Sequence, residues 1–238
     1  MKILFGFLNF YANRVEFVKK NLQKLSDKRD DILILSDTSY DKFNTQKIDG
    51  KNVAQCKNII LKYAKDNSYD YCIIIEDDVK LLDKIIIQSY INMLEKYNLS
   101  FVMYGFHNQN RVLGFKPNPC MIIKASEFET LNFSRYVCGA FCLFKITDDM
   151  LFFDEHLTLL EMQEYTDRAV IQKKIPFNGF YFDTFESWKH FEKYQCESTR
   201  VKNKEIVEAD IKIIGKQFTL ENNADLLINL IREKNKPV

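Results

Sequence analysis

Glycine and proline are scarce, at seven and four in 238 residues. So low a content argues against a long flexible linker. Nowhere do about 18 apolar residues follow one another, so the sequence offers no membrane-spanning helix. Neither sign of charge is in excess. The formal net charge is +1, so no global field favours nucleic acid, and an anionic substrate must be attracted locally. None of the six cysteines, Cys56, Cys72, Cys120, Cys138, Cys142 and Cys196, belongs to a CxxC pair. They read as reduced thiols of a cytosolic protein, with Cys72 packed as a small hydrophobe inside an apolar run. The start, "MKILFGFLNFY", superficially suggests a signal peptide. Its apolar run is short and aromatic, and Asn13-Arg14 follows without a small-residue cleavage site, so a first β-strand is the better reading. Internal repeats and low-complexity tracts are also missing. What is present is an ordinary globular composition, 46% hydrophobic and 28% charged. The length suffices for one large domain, or for a domain plus an appendage.

The first half alternates strands and helices. "KILFGFLNF", "DILILSD", "YDYCIIIEDD" and "SFVMYGFH" read as strands. "NRVEFVKKNLQKL" carries Val15, Val18, Leu22 and Leu25 at helical spacing. "VAQCKNIILKYAKDN" and "DKIIIQSYINMLEKY" repeat that period. This βαβαβαβ order with continuously apolar strands predicts a mostly parallel sheet flanked by helices. Such sheets bind ligands beyond the carboxyl ends of their strands. The second half is less regular. "NPCMIIKA" and "VCGAFCLFKI" read as strands, added antiparallel. Residues 159–174 have a helical pattern stopped near Pro176. "FNGFYFDTFESW" reads as strand and loop, and "NADLLINLIREKNKPV" as an amphipathic helix with a basic end.

The stretch "YDYCIIIEDDVKLLD" drives a core-type strand into Glu76, Asp77 and Asp78. Three adjacent carboxylates repel, and buried ones need partners. A strand end in a cleft facing a cation accommodates them. Hard cations such as Mg²⁺ and Mn²⁺ prefer carboxylate oxygens and keep positions open for water and phosphate. Residues i and i+2 of an extended segment point the same way, so Glu76 and Asp78 can face one cleft with Asp77 turned aside. Alternatively, Asp77 and Asp78 cap a following helix.

The stretch "VAQCKNIILKYAKDNSYDYCIIIEDDV" resembles the GT-A glycosyltransferases, especially family 2 and the lipooligosaccharide-type transferases. Those enzymes place a short acidic motif directly after a buried strand. Lys57 and Asn58 match their Arg-Asn pair, with Lys replacing Arg, a point charge where the family has a bidentate fork. "VCGAFCLFKI", with Gly139 and Ala140, is similar to their Gly-Ala segment beside the sugar and acceptor. "FFDEHLTLLEMQEYTDRAVIQKKIPF" resembles their Phe-Asp-Glu and Glu-Asp-x-Asp stretch. There Glu164 and Asp167 match the outer acids, and Tyr165 stands where an Asp often acts as base. The resemblance covers residues 1–192, a nucleotide-sugar half to about 105 and an acceptor half beyond it, with 193–238 as a helical appendage.

The resemblance implies a GT-A-like, Rossmann-type fold. It also implies a transferase that uses Mn²⁺ or Mg²⁺ and moves a sugar from a UDP- or GDP-linked donor to a glycan or lipid-linked acceptor in surface polysaccharide synthesis, with inversion. Asp78 would bind the metal, and Glu76 would contribute through metal, water or ribose. Asp77, Lys57, Asn58, Gly139 and Ala140 would line the donor. Asp37 would meet the nucleoside, or else serve a turn or helix start. Asp167 or Glu164 would be the base, or else simply favour a helix N-terminus. His190 would be a late metal or diphosphate contact, or else a surface histidine. The aromatic run from Phe177 to Trp188 would stack an acceptor sugar, or else belong to the core. The terminal helix would pack on the domain, or else give weak, salt-sensitive contact with an inner membrane face. Two other readings stand beside this one. A sugar-nucleotide pyrophosphorylase would need a glycine-rich loop after the first strand, where this chain has "NFYANRV". The other is a non-catalytic scaffold.

Overall fold

A computed structural model of the chain describes residues 1–81, 87–96, 100–103, 139–162, 164–165, 168, 188–190 and 204–214. Its strands are β1 (Ile3–Asn9), β2 (Ile32–Ser36), β3 (Asn44–Gln46), β4 (Tyr71–Glu76), β5 (Val79–Leu81), β6 (Phe101–Met103), β7 (Phe141–Lys145) and β8 (Trp188–His190). Six of them form one sheet in the order β3-β2-β1-β4-β7-β6, and β5 pairs with β8 in a small second sheet. β1 runs parallel to both β2 and β4, and β2 runs parallel to β3. β7 is antiparallel to both β4 and β6. The sheet is therefore mostly parallel, as the βα alternation predicts. β6 points the same way as β4, but the two are not neighbours, because β7 lies between them.

The strands alternate because both faces of the sheet are covered. Phe5, Phe7, Ile32, Ile34, Ile73 and Ile75 face one layer, with Val18 and Leu22 of α1 (Val15–Lys24) and Ile91 and Leu94 of α3 (Ile87–Lys96). Leu4, Leu8, Leu33, Leu35, Cys72 and Ile74 face the other, with Ala54, Ile60, Leu61 and Ala64 of α2 (Val53–Asp66). Each large apolar side chain so buried contributes about 1.5–3 kcal/mol. Gly6 sits in the middle of β1, where any β-carbon would collide with Ile60. The missing side chain lets α2 lie close to the sheet.

α2 starts sharply. The Asn52 side chain accepts from Gln55 N, and the Gln55 side chain accepts from Asn52 N, a complete capping box. A further helix among the described residues, α4 (Lys204–Ile214), follows a region less regular in sequence. It falls within 193–238, the stretch read as a helical appendage. Asp210 on it is buried.

One local expectation needs correction. Asp77 and Asp78 do not cap a helix, because β5 follows them directly. Asn21 of α1 holds that strand on one side, donating to Val79 O and accepting from Leu81 N, and β8 pairs with it on the other. Cys56, Cys72 and Cys142 are buried. The "NPCMIIKA" strand, most of the Phe177–Trp188 aromatic run, the terminal "NADLLINLIREKNKPV" helix, Asp167, Cys120, Cys138 and Cys196 lie outside the described residues.

Candidate functional site

The site lies at the carboxyl ends of β1, β2 and β4. β4 is apolar through Ile75 and emerges from the core at Glu76, which is half-buried. Glu76 N donates to Ala140 O at 2.8 Å, so the approach to β7 flanks the acidic turn.

Asp77 is taken up by the protein itself. It is 3% exposed. Its Oδ2 accepts from Asn9 Nδ2 at 3.0 Å, Phe10 N at 2.9 Å and Tyr11 N at 3.2 Å, and its Oδ1 pairs with Arg14 Nη1 at 2.5 Å. This carboxylate shapes the loop after β1. Asn9 extends the node by accepting from Tyr40 Oη at 2.7 Å and Ser36 Oγ at 3.2 Å. The ends of β1, β2 and β4 are thus tied through one buried amide. Arg14 also approaches Asp78 Oδ2 at 4.0 Å and lies over the Tyr11 ring.

Lys57 is the second node. Its side chain is fully buried, and its Nζ lies 2.9 Å from Glu76 Oε1 and 3.0 Å from Glu161 Oε1. Burial opposes the charge. Glu76 and then Glu161 outweigh it and hold the ammonium protonated well above the ordinary lysine range. Gly139 closes the pocket, because a β-carbon there would lie 2.5 Å from Lys57 Nζ and 2.6 Å from Met162 Cγ. The neighbouring Asn58 clasps the segment after β7. It donates to Phe153 O and Glu155 Oε1 and accepts from Phe153 N.

The structure thus brings Glu76, Asp77, Asp78 and Lys57 together, with Gly139 and Ala140 beside them. The β5–β8 register sets His190 opposite Val79, one residue beyond Asp78. Asp37 is exposed at the end of β2, and its Oδ1 accepts from Ile48 N and Asp49 N, both at 3.1 Å. Glu164 is taken up by Arg168, which donates to both of its oxygens and to Phe152 O. Tyr165 is core. It stacks on Phe153 with ring centroids 4.5 Å apart and meets Phe101 and Phe144 edge-on.

Three residues escaped the sequence reading. Glu161 did so because attention fell on the acids at 164 and 167. A signal was available, since an acid between Leu160 and Met162 in an apolar stretch must find a partner if buried. Arg14 and Asn9 sit in a stretch that reads as strand end and helix start.

Among the described residues, no three His, Cys, Asp or Glu side chains stand together as a ready-made metal cage. Magnesium-type sites bound by one or two carboxylates plus substrate phosphates need no such cage. Asp78 and Glu76 carry the carboxylate oxygens that a cation of that kind takes as ligands.

No protein-family model matches the sequence. No curated protein matches it either. Solved structures match in shape. The S. aureus TarS 1-349 structure aligns over 98% of this chain and 71% of its own, with a TM-score of 0.58 and 13% identity. A longer S. aureus TarS chain aligns over 95% of this one with a TM-score of 0.56 and 14% identity, and this chain spans 45% of its length. The mannosyltransferase PcManGT from Pyrobaculum calidifontis, solved in complex with GDP-Man and Mn2+, aligns over 76% of this chain and 54% of its own, with a TM-score of 0.53 and 11% identity. At such identities the likeness carries the architecture, and this chain has the fold of the GT-A-type glycosyltransferases.

Proposed function

We propose that this chain is a metal-dependent glycosyltransferase. It takes a sugar from a UDP- or GDP-linked donor and passes it to a glycan or lipid-linked acceptor of a surface polysaccharide, with inversion. The carrying observation is the convergence of Glu76, Asp78 and buried Lys57 at the carboxyl end of β4 in a GT-A-type sheet. The GDP-Man and Mn2+ of the mannosyltransferase neighbour support the donor class.

In this reading Asp78 holds Mn²⁺ or Mg²⁺, with Glu76 contributing directly, through water or at the ribose. The ion would neutralise charge developing on the departing diphosphate. Lys57 acts through Glu76, fixing one of its oxygens and leaving the carboxylate oriented. Asp77 shapes the loop that borders the nucleotide, and Asp37 lies on its nucleoside side. Asn58 holds the acceptor-side segment, Gly139 and Ala140 border the sugar, and His190 is a late contact. Asp167 takes the proton of the acceptor hydroxyl as its oxygen bonds to the anomeric carbon and the bond to the diphosphate breaks. Glu164, held by Arg168, is second choice as base. Residues 1–192 form the transferase domain and 193–238 its appendage. The site of action is cytoplasmic, with at most loose contact at an inner membrane face. Among the described residues, no helix is long and apolar enough to cross a membrane.

A pyrophosphorylase would need free backbone N–H groups after β1 to cradle a triphosphate. Here Phe10 N and Tyr11 N donate to Asp77. The test is a panel of UDP- and GDP-sugars with the full chain, scored by thermal stabilisation with and without Mn²⁺. The matching donor at about a hundredfold excess over its Kd should stabilise by about 2.7 kcal/mol, and a chelator should remove the effect. No stabilisation and no nucleotide release from any donor would overturn the proposal.

A further inference from the structure

The carboxylate of Asp210 accepts from backbone groups 50 to 52 residues earlier in the chain. It is 2% exposed on α4. It accepts from Thr158 N at 3.1 Å on both oxygens, from Leu159 N at 2.7 Å and from Leu160 N at 3.0 Å. Three successive backbone N–H groups converging on one point form a concave anion site, and here a side chain fills it. Leu160 O accepts from Glu164 N, so the helical turn begins immediately after this cradle. The next residue is Glu161, which pairs with Lys57 and through it with Glu76. The other end of the same segment is fixed separately, by Asn58 at Phe153 and by Asn52 donating to Glu155 O. Residues 153–161 are therefore pinned to α2 at one end and to α4 at the other.

We propose that Asp210 is a positioning residue for the transfer reaction, setting Glu161 against Lys57 and so fixing the Glu76 carboxylate from the far end of the chain. This rests on the glycosyltransferase reading for its consequence in catalysis, but not for its geometry. Charge-assisted bonds to buried N–H groups are strong, and groups in one network couple when mutated. Asp210→Asn would turn an N–H₂ toward N–H donors and loosen the cradle.

The experiment is a double-mutant cycle in the full-length protein: wild type, Asp210→Asn, Glu161→Gln and the double variant. If Asp210→Asn does not fold, Asp210→Ser, which keeps one acceptor, replaces it. Well below each unfolding midpoint, Asp210→Asn should lower kcat about tenfold or more while donor KM changes less than about threefold. The double variant should be no slower than Glu161→Gln alone. A lower midpoint with wild-type kcat, or losses that multiply in the double variant, would overturn the proposal. A second arm reads unfolding midpoints of the same proteins, where coupling makes the double shift smaller than the sum and full additivity refutes it. If the wild type transfers no sugar, the glycosyltransferase reading fails, and this second arm alone decides the role of Asp210.

Discussion

At the residue scale, the candidate site consists of charges that the protein pairs to different degrees. Asp77 and Lys57 are enclosed by their own partners, and Asp78 stands at the turn between them. Removing one partner of a buried ion pair costs about 3–5 kcal/mol. Lys57→Met should therefore lower stability by about that much in chemical denaturation, because it leaves Glu76 and Glu161 facing each other. Asp78→Asn keeps shape and removes charge. Transfer should fall by about a hundredfold or more while the unfolding midpoint stays near that of the wild type. Near-normal turnover of Asp78→Asn with Mn²⁺ present would remove it from the metal site. Glu76 and Asp78 were legible because acid at the end of an apolar strand must either find buried partners or face a cleft. Glu161 was harder to find, because its apolar neighbours mark it only as an acid in need of a partner, and that partner is 104 residues away. Tyr165 shows the opposite limit. A family pattern gave its position a catalytic meaning, while its aromatic neighbours, distant in sequence, make it core.

At the element scale, the periods of α1, α2 and β4 were readable because each element's apolar face follows its own repeat. β5 was not. Residues 79–81 are too few to show a period, and their order comes from Asn21 and from β8, both remote. The joints between elements carry carboxylates with lowered pKa values. Glu95 on α3 is lowered by the Tyr71 hydroxyl and then Lys145, and Glu155 by the Asn58 side chain. A carboxylate with a depressed folded-state pKa stabilises above its unfolded value and loses that stabilisation as pH falls through the folded one. Thermal midpoints should thus be flat above about pH 5 and decline in more acid solution, and Glu155→Gln should make that decline shallower. Both carboxylates are partly exposed, so each share is small. Lys57 has the reverse sign: the share its charge contributes near neutral pH is lost as pH rises into strong alkali. Packing gives a sharper test. Gly6→Val would force a branched side chain against Ile60 and part α2 from the sheet. The expected loss is about 1–3 kcal/mol, measured by urea titration.

At the scale of the whole molecule, the α/β class and its mostly parallel sheet were legible because alternating elements with apolar strands admit few other arrangements. The order of strands along the sheet was not. Periodicity describes which face a residue takes, and it is silent on which neighbour a strand finds. That choice depends on chain reversals in the second half. α4 shows the same limit, because Asp210 looks like an ordinary surface acid until residues 158–160 are placed against it.

The position of β7 has a consequence for how the chain comes into being. As the chain leaves a ribosome, β4 has β1 on one side, while the strand for its other side is still to be made. Its missing neighbour, Phe141–Lys145, emerges some 65 residues after β4 is complete, by the difference between Glu76 and Phe141. During that interval Tyr71–Ile75 is an unpaired apolar edge, the kind of surface that recruits other chains. A fragment ending at Met103 should therefore sediment as aggregates, while the full chain stays dispersed. Closing that edge waits on contacts of long sequence separation, so refolding from denaturant should be slow for a chain of this size.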